Sequence, residues 1–193
     1  MNKLLLLLGV SGVGKSSIIR CLKELDPRFV YISPYTTRPL RDGEKDKITV
    51  SDAEMDCMLR RGAFLTVNTI FGMRYGTPRE PILRAFENGQ FPLLDWPISK
   101  VEVMQHFFPS QLYCVYVAPP SIEELGRRLT MDQRDTNGTR LKAACEELAN
   151  YNLSGGLGAI DLEVISFLNE LMETAVIIYT NYINTIDTPF RCL

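Results

Sequence analysis

Five consecutive leucines, Leu4 to Leu8, run directly into Gly9-Val10-Ser11-Gly12-Val13-Gly14-Lys15-Ser16. A run that is apolar at every position suits a strand buried on both faces, because a strand with one wet face alternates instead. The following stretch, Ser16 to Leu22, spaces its apolar residues as a helix does. Between them, glycines at 9, 12 and 14 let the backbone curl so that successive N–H groups point inward, and the helix N-terminus adds its partial positive charge. This strand, loop and helix form a nest for a polyphosphate. Gly9, Ser11, Gly12, Val13, Gly14, Lys15, Ser16 and Ser17 are its expected contacts. Lys15 is placed to reach the β- and γ-phosphates and the Ser16 hydroxyl to ligate Mg²⁺.

A chain of 193 residues, 46% hydrophobic, is long enough for one sizeable core and is read as a single domain with appended lobes. Its 21 Lys and Arg are dispersed among 23 Asp and Glu, and the net charge is −2. With no concentrated cationic footprint, binding to long nucleic acid is not expected. Cys21, Cys57, Cys114, Cys145 and Cys192 show neither close pairing nor metal-ligand spacing, as in a reduced, cytoplasmic protein. The leucine run is too short for a signal peptide and lacks a cleavage site, and no later stretch suits a membrane span. His106 is the only histidine, which excludes a multi-His metal centre.

Strand-like runs recur at Lys3–Leu8, Phe29–Ser33, Phe91–Asp95, Leu112–Ala118 and Ala175–Thr180, with helical patterns between most of them. This alternation predicts an α/β fold, a parallel sheet with helices on both faces. Ser51 with Glu54, and Ser121 with Glu124, carry the spacing of a capping box, and Gly62 and Gly89 are expected helix stops. Residues 34–88, with a short strand at Phe64–Val67, form an inserted lobe, and residues 130–140, polar and containing arginine, form a short lid. Ile160, Val164, Phe167, Leu168 and Leu171 have helical spacing and predict an amphipathic helix within 152–174, ahead of the last strand.

Five segments in order resemble the guanylate kinase family, P-loop enzymes that move the ATP γ-phosphate onto a nucleoside monophosphate. They are GVSGVGKS; TTRPLRDGE, similar to the family's TTR-x-x-R-x-G-E; FGMRYGT, in place of G-x-x-YG-[ST]; PLLDW, in which Asp95 ends a strand; and VAPPSIEELGRRL with the lid that follows. The resemblance covers roughly residues 3 to 150 and implies ATP as donor, Mg²⁺ as cofactor, and a small nucleotide or sugar phosphate as acceptor. With no span or signal, the chain reads as soluble with no membrane partner, and a monomer or homodimer is expected. Arg38 and Arg41, three apart in a turn-rich loop, suit bidentate capture of a second phosphate, and Tyr75 and Thr77 join them in the family pattern. Arg134 and Arg140 are expected to cover the transferring group. Asp95, at the C-terminal end of a strand, is the expected partner of Mg²⁺ or of Arg38. Asn181 is expected on the adenine side of the ATP site, near a last strand not followed by the usual helix.

Departures from the family pattern gather at the base-reading positions. Thr66 stands in place of a glutamate, Pro34 and Tyr35 in place of a serine contact, and Pro97 in place of an acid. The loop GEKDKITV is shortened and lacks a phosphate-holding tyrosine, with Lys47 nearest to its slot. The implied acceptor is a nucleoside monophosphate, GMP first. A sugar-phosphate kinase of the ribose 1,5-bisphosphate type is the alternative, and a non-catalytic guanylate kinase-like interaction module is a third reading that the intact Lys15 and Ser16 disfavour.

Overall fold

The computed structural model describes residues 2–40, 46–70, 72–131, 138–153 and 160–187. Arg41, Arg134, the middle of the expected lid and the glycines at 155, 156 and 158 lie outside the described residues. The chain runs β1 (Leu4–Leu8), α1 (Lys15–Leu25), β2 (Phe29–Tyr31), β3 (Tyr35–Thr36), β4 (Ile48–Thr49), α2 (Asp52–Arg60), β5 (Phe64–Ile70), β6 (Met73–Pro78), α3 (Arg79–Glu87), β7 (Phe91–Trp96), a 3-10 turn (Ile98–Lys100), α4 (Val101–Phe107), β8 (Leu112–Ala118), α5 (Ile122–Met131), α6 (Thr139–Leu153), β9 (Leu162–Ile165) and α7 (Leu171–Asp187).

Five strands form a parallel sheet in the order β2-β7-β1-β8-β9. All five leucines of β1 are fully buried, as its unbroken apolar run requires of a central strand. Leu5 and Leu7 meet Ile18 and Leu22 of α1, Leu125 of α5 and Ile178 of α7 on one face, while Leu4, Leu6 and Leu8 meet Ile82 of α3 and Met104 of α4 on the other. Burying one such side chain contributes about 1.5–3 kcal/mol. A second sheet, β4-β3-β6-β5, forms the lobe inserted between β2 and β7. Because the central strands are parallel, their C-terminal ends share one edge, where open α/β sheets bind ligands; β1 delivers the glycine loop to the middle of it.

The expected helix signals recur in the structure with one difference. Ser51 Oγ accepts the Glu54 N–H and Glu54 returns its carboxylate to the Ser51 N–H, and Gly62 leaves α2 with φ +68°. Ser121 Oγ likewise accepts the Glu124 N–H, but the Glu124 carboxylate turns to Arg127 and Arg128 instead.

The end of the chain departs from the expected pattern. Ala175–Thr180 is helix, inside α7, and the last strand of the sheet is β9, within the segment expected to hold an amphipathic helix. Apolar residues in α7 fall at Leu171, Ala175, Ile178 and Tyr182, a period near 3.6 that packs along α1 and overrides the β-branched composition of AVIIYT. In β9 the burial alternates: Val164 is buried between exposed Glu163 and Ile165, as on an edge strand with one covered face. The expected absence of a final helix is thus also corrected.

This helix sets a stability test. Ile178 is fully buried, whereas its neighbours Val176 and Ile177 are exposed. In urea unfolding, Ile178→Ala is expected to cost about 2–5 kcal/mol and Val176→Ala and Ile177→Ala to stay within about 0.5 kcal/mol. A strand would alternate, so losses at both 176 and 178 with none at 177 would contradict the helix.

Candidate active site

Gly9 leaves β1 with φ +136°, and a Cβ there would lie 2.4 Å from the Val117 carbonyl oxygen. Only glycine permits so close a pass beside β8. Gly14, with φ +107°, precedes α1 and has no side chain to cap it, so the first amides of the helix are left for an anion. Gly12 and Val13 line the intervening turn, where the Val13 side chain is buried in the core. Ser11 and Ser17 are half-buried and Ser16 is exposed at the start of α1.

Lys15 folds back over its own loop, and Nζ donates to the carbonyls of Gly9 at 2.5 Å and Val10 at 3.0 Å. Burial pulls its pKa below the ordinary lysine value; Asp95 and Glu147 oppose that shift, and Lys47 adds to it. Glu147, on α6, is moved the other way: burial raises its pKa against the pull of Lys15 and a hydrogen bond from the Ile98 N–H. Four parts of the chain therefore meet electrostatically at Lys15: the loop, the end of β7, the lobe and α6.

Asp95 pairs in register with Leu7 near the end of β1, and its Oδ1 accepts the Tyr31 hydroxyl at 2.6 Å. Among the described residues Oδ2 accepts no hydrogen bond, which leaves it open to a cation or its water. Among the described residues no group of three acidic, His or Cys side chains could enclose a metal. Ser16 and Asp95 offer hard oxygen donors, the sparse protein ligation that Mg²⁺ takes when substrate phosphates complete its shell. Arg140, at the start of α6, reaches the loop, with Nη1 3.4 Å from Ser11 Oγ.

The lobe offers a polar floor. In the β5/β6 pairing, Thr66 opposes Thr77 and Asn68 opposes Tyr75, so these four side chains share a face. Arg38 Nε donates to the Tyr75 hydroxyl at 3.3 Å, its N–H to Thr36 Oγ1 and its Nη1 to the Pro39 carbonyl, which fixes the guanidinium beside that floor. Thr77 and Asn68 are buried, Thr66 and Tyr75 half-buried.

Asn181 is not brought to the site. It is exposed on α7, its Nδ2 donates to the Ile177 carbonyl, and its neighbour Tyr182 bonds the Lys3 carbonyl at the opposite end of β1. It stands ten residues, about 15 Å of helix, beyond Leu171, whose side chain lies by Gly14.

Arg128 went unnoticed in the sequence. Only 4% exposed, it bonds Glu124 at 2.9 Å, the Val13 carbonyl at 3.2 Å and the Ser166 carbonyl at 2.8 Å, tying α5, the glycine loop and the turn after β9 together. Its neighbours hold the Glu124 carboxyl down to about 2, with Arg127 the larger cause. Beside it opens a cleft of about 500 Å³ lined by Pro120, Glu124, Arg127, Phe167, Leu168 and Asn169. The only sequence signal for this clamp is an arginine on the apolar side of a helix, at Leu125 plus three.

A glycine loop at the central strand of a parallel sheet, facing an inserted polar lobe, defines a P-loop kinase. A solved shikimate kinase from Acinetobacter baumannii shares this fold at a TM-score of 0.52, with 12% identity and 97% of each chain covered. A guanylate kinase structure from Anaplasma phagocytophilum superposes at 0.76, with 24% identity over 97% of this chain and 87% of that one. The guanylate kinase family model matches residues 1–174, and the guanylate kinase of Thermobifida fusca is 38% identical over 154 residues, 77% of this chain and 78% of its own. The chain belongs to the guanylate kinase family.

The buried clamp gives a stability expectation. Arg128→Met leaves two carbonyls without their donor and should cost about 2–4 kcal/mol in urea unfolding. An unchanged midpoint would show that the guanidinium does not hold the loop.

Proposed function

We propose that this protein transfers the γ-phosphate of ATP to a small phosphorylated acceptor, a nucleoside monophosphate, with GMP the first candidate. One observation carries the reading: the glycine loop that ends in Lys15 leaves β1 at the edge of the central sheet where Asp95 sits near the end of β7 and Lys100 bonds Asn68 of the lobe. Donor and acceptor phosphates would thus meet over one loop. Gly9 to Ser17 cradle the donor polyphosphate, and Lys15 exchanges its carbonyl partners for phosphate oxygens. Arg140, from α6, and Arg134 add positive charge to the transferring group. Arg38, Arg41 and Tyr75 grip the acceptor phosphate, with Lys47 taking the slot of the missing family tyrosine. Thr66 and Thr77 face the rest of the acceptor.

Ser16 and Asp95 would hold Mg²⁺, which supplies charge neutralisation on the donor phosphates. The residues named here bind, orient and screen charge, which is most of what phosphoryl transfer asks of a protein. The adenine is assigned to the cleft beside Arg127, Phe167 and Asn169, since Asn181 lies too far away. A sugar-phosphate acceptor is the second reading, favoured by the neutral Thr66 and Pro97 at base-reading positions.

A coupled ADP-release assay with Mg²⁺, ATP and GMP, dGMP, AMP, CMP, UMP or ribose 1,5-bisphosphate tests these readings; turnover is expected with GMP. Lys15→Ala should abolish transfer. Arg38→Ala should raise the acceptor KM about ten- to hundredfold with the ATP KM unchanged, as for a lost charge-assisted hydrogen bond. Release of ADP by Lys15→Ala at the wild-type rate would refute the assignment.

A further inference from the structure

We propose that Lys100, held in place by Asn68, reads the acceptor base, and reads it through hydrogen-bond acceptor atoms rather than through the N–H groups that a carboxylate would bind. This rests on the nucleoside monophosphate reading above and assigns the specificity of that site.

Lys100 ends the 3-10 turn that follows β7, five residues beyond Asp95, at the ligand-facing edge of the central sheet. Its backbone is pinned there, because Trp96, 4% exposed, donates its indole N–H to the Lys100 carbonyl at 2.9 Å. The side chain crosses to the lobe, where Nζ donates to Asn68 Oδ1 at 2.8 Å. Asn68 is 4% exposed and lies directly opposite Tyr75, on the face shared with Thr66 and Thr77. The ammonium therefore stands over the acceptor floor, joining the core to the lobe.

Asparagine is disfavoured inside strands, and a buried amide is tolerated only when bonded. Its place in β5 is explained if its carbonyl serves to aim a cation. An ammonium has three N–H donors, and Asn68 takes one. Among the described residues the other two have no partner and remain for a ligand; Asn68 lies opposite Tyr75, whose hydroxyl Arg38 bonds, and Thr66 and Pro97 bring no carboxylate to this floor. The two charged groups of this floor, Lys100 and Arg38, are donors only, and they pair with a ligand edge of acceptors.

Purine monophosphates differ along such an edge. Guanine and hypoxanthine both present O6 and N7 as acceptors, whereas adenine presents N7 beside an amine that would meet the ammonium donor to donor. The exocyclic amine of guanine lies on the other edge and is not read. GMP and IMP should thus be near-equal acceptors, and AMP a poor one.

The test is kcat/KM of the purified chain for GMP, IMP and AMP under saturating ATP. IMP is expected within about threefold of GMP and AMP roughly ten- to hundredfold below both, the range one charged hydrogen-bond pair supplies. Lys100→Met should bring GMP and IMP down toward AMP, with the AMP value no lower than in the wild type and the ATP KM unchanged, and Lys100→Arg should restore the preference. Asn68→Ala, which frees the ammonium, should lower the same ratio in part. IMP on the order of a hundredfold poorer than GMP would overturn the proposal, since the amine would then be read. An equal loss on all three acceptors in Lys100→Met would also overturn it, assigning the residue to the phosphate or the fold. A wild-type chain that uses none of the three but turns over ribose 1,5-bisphosphate would refute the nucleotide reading itself.

Discussion

Burial of β1 on both faces is the constraint on which the rest of the structure depends. A strand with no polar face has to lie in the middle of a sheet covered by helices on both sides, and here β7 and β8 flank it in parallel. The residues that leave its C-terminal end are delivered to the centre of the ligand-facing edge. Gly9 passes beside the Val117 carbonyl, and Arg128 bonds the Val13 carbonyl, so the loop is held by β8 and α5.

The charges around that loop are arranged in mutual dependence. Burial works against the charged form of Lys15 and also against that of Glu147, and each offsets the other's penalty. Asp95 adds to the same balance from the end of β7, and Lys47 enters it from the lobe. The cluster holds two lysines against two carboxylates, and preorganised charge is the main resource for moving a phosphoryl group. The lobe thus carries part of the electrostatics of the glycine loop.

Much of this was legible in the sequence because local chemistry and global role coincide there. The glycine loop, the central strand and the Ser51–Glu54 capping box are short-range patterns that the fold uses as written, whereas Arg38 and Tyr75, 37 residues apart, were joined only by the family resemblance. The chain's end was misread because Ala175 to Thr180 is β-branched and apolar, while its helical period shows only over the longer span from Leu171 to Tyr182; the alternation in β9 covers four residues and is easily absorbed into a helical count. Asn181 was misplaced with that strand. Arg128, Glu147 and Lys100 escaped notice for another reason. Their partners, the Val13 carbonyl, Lys15 and Asn68, lie 32 to 132 residues away, and no local pattern records such pairings.

The most direct test follows the γ-phosphate itself. With the purified chain, Mg²⁺, GMP and ATP radiolabelled in its γ-phosphate, separation of the nucleotides should show the label passing from ATP into GDP, in proportion to the protein added. Label that leaves ATP only as inorganic phosphate, or that stays in ATP at every protein concentration, would contradict transfer between two phosphates held over the Lys15 loop.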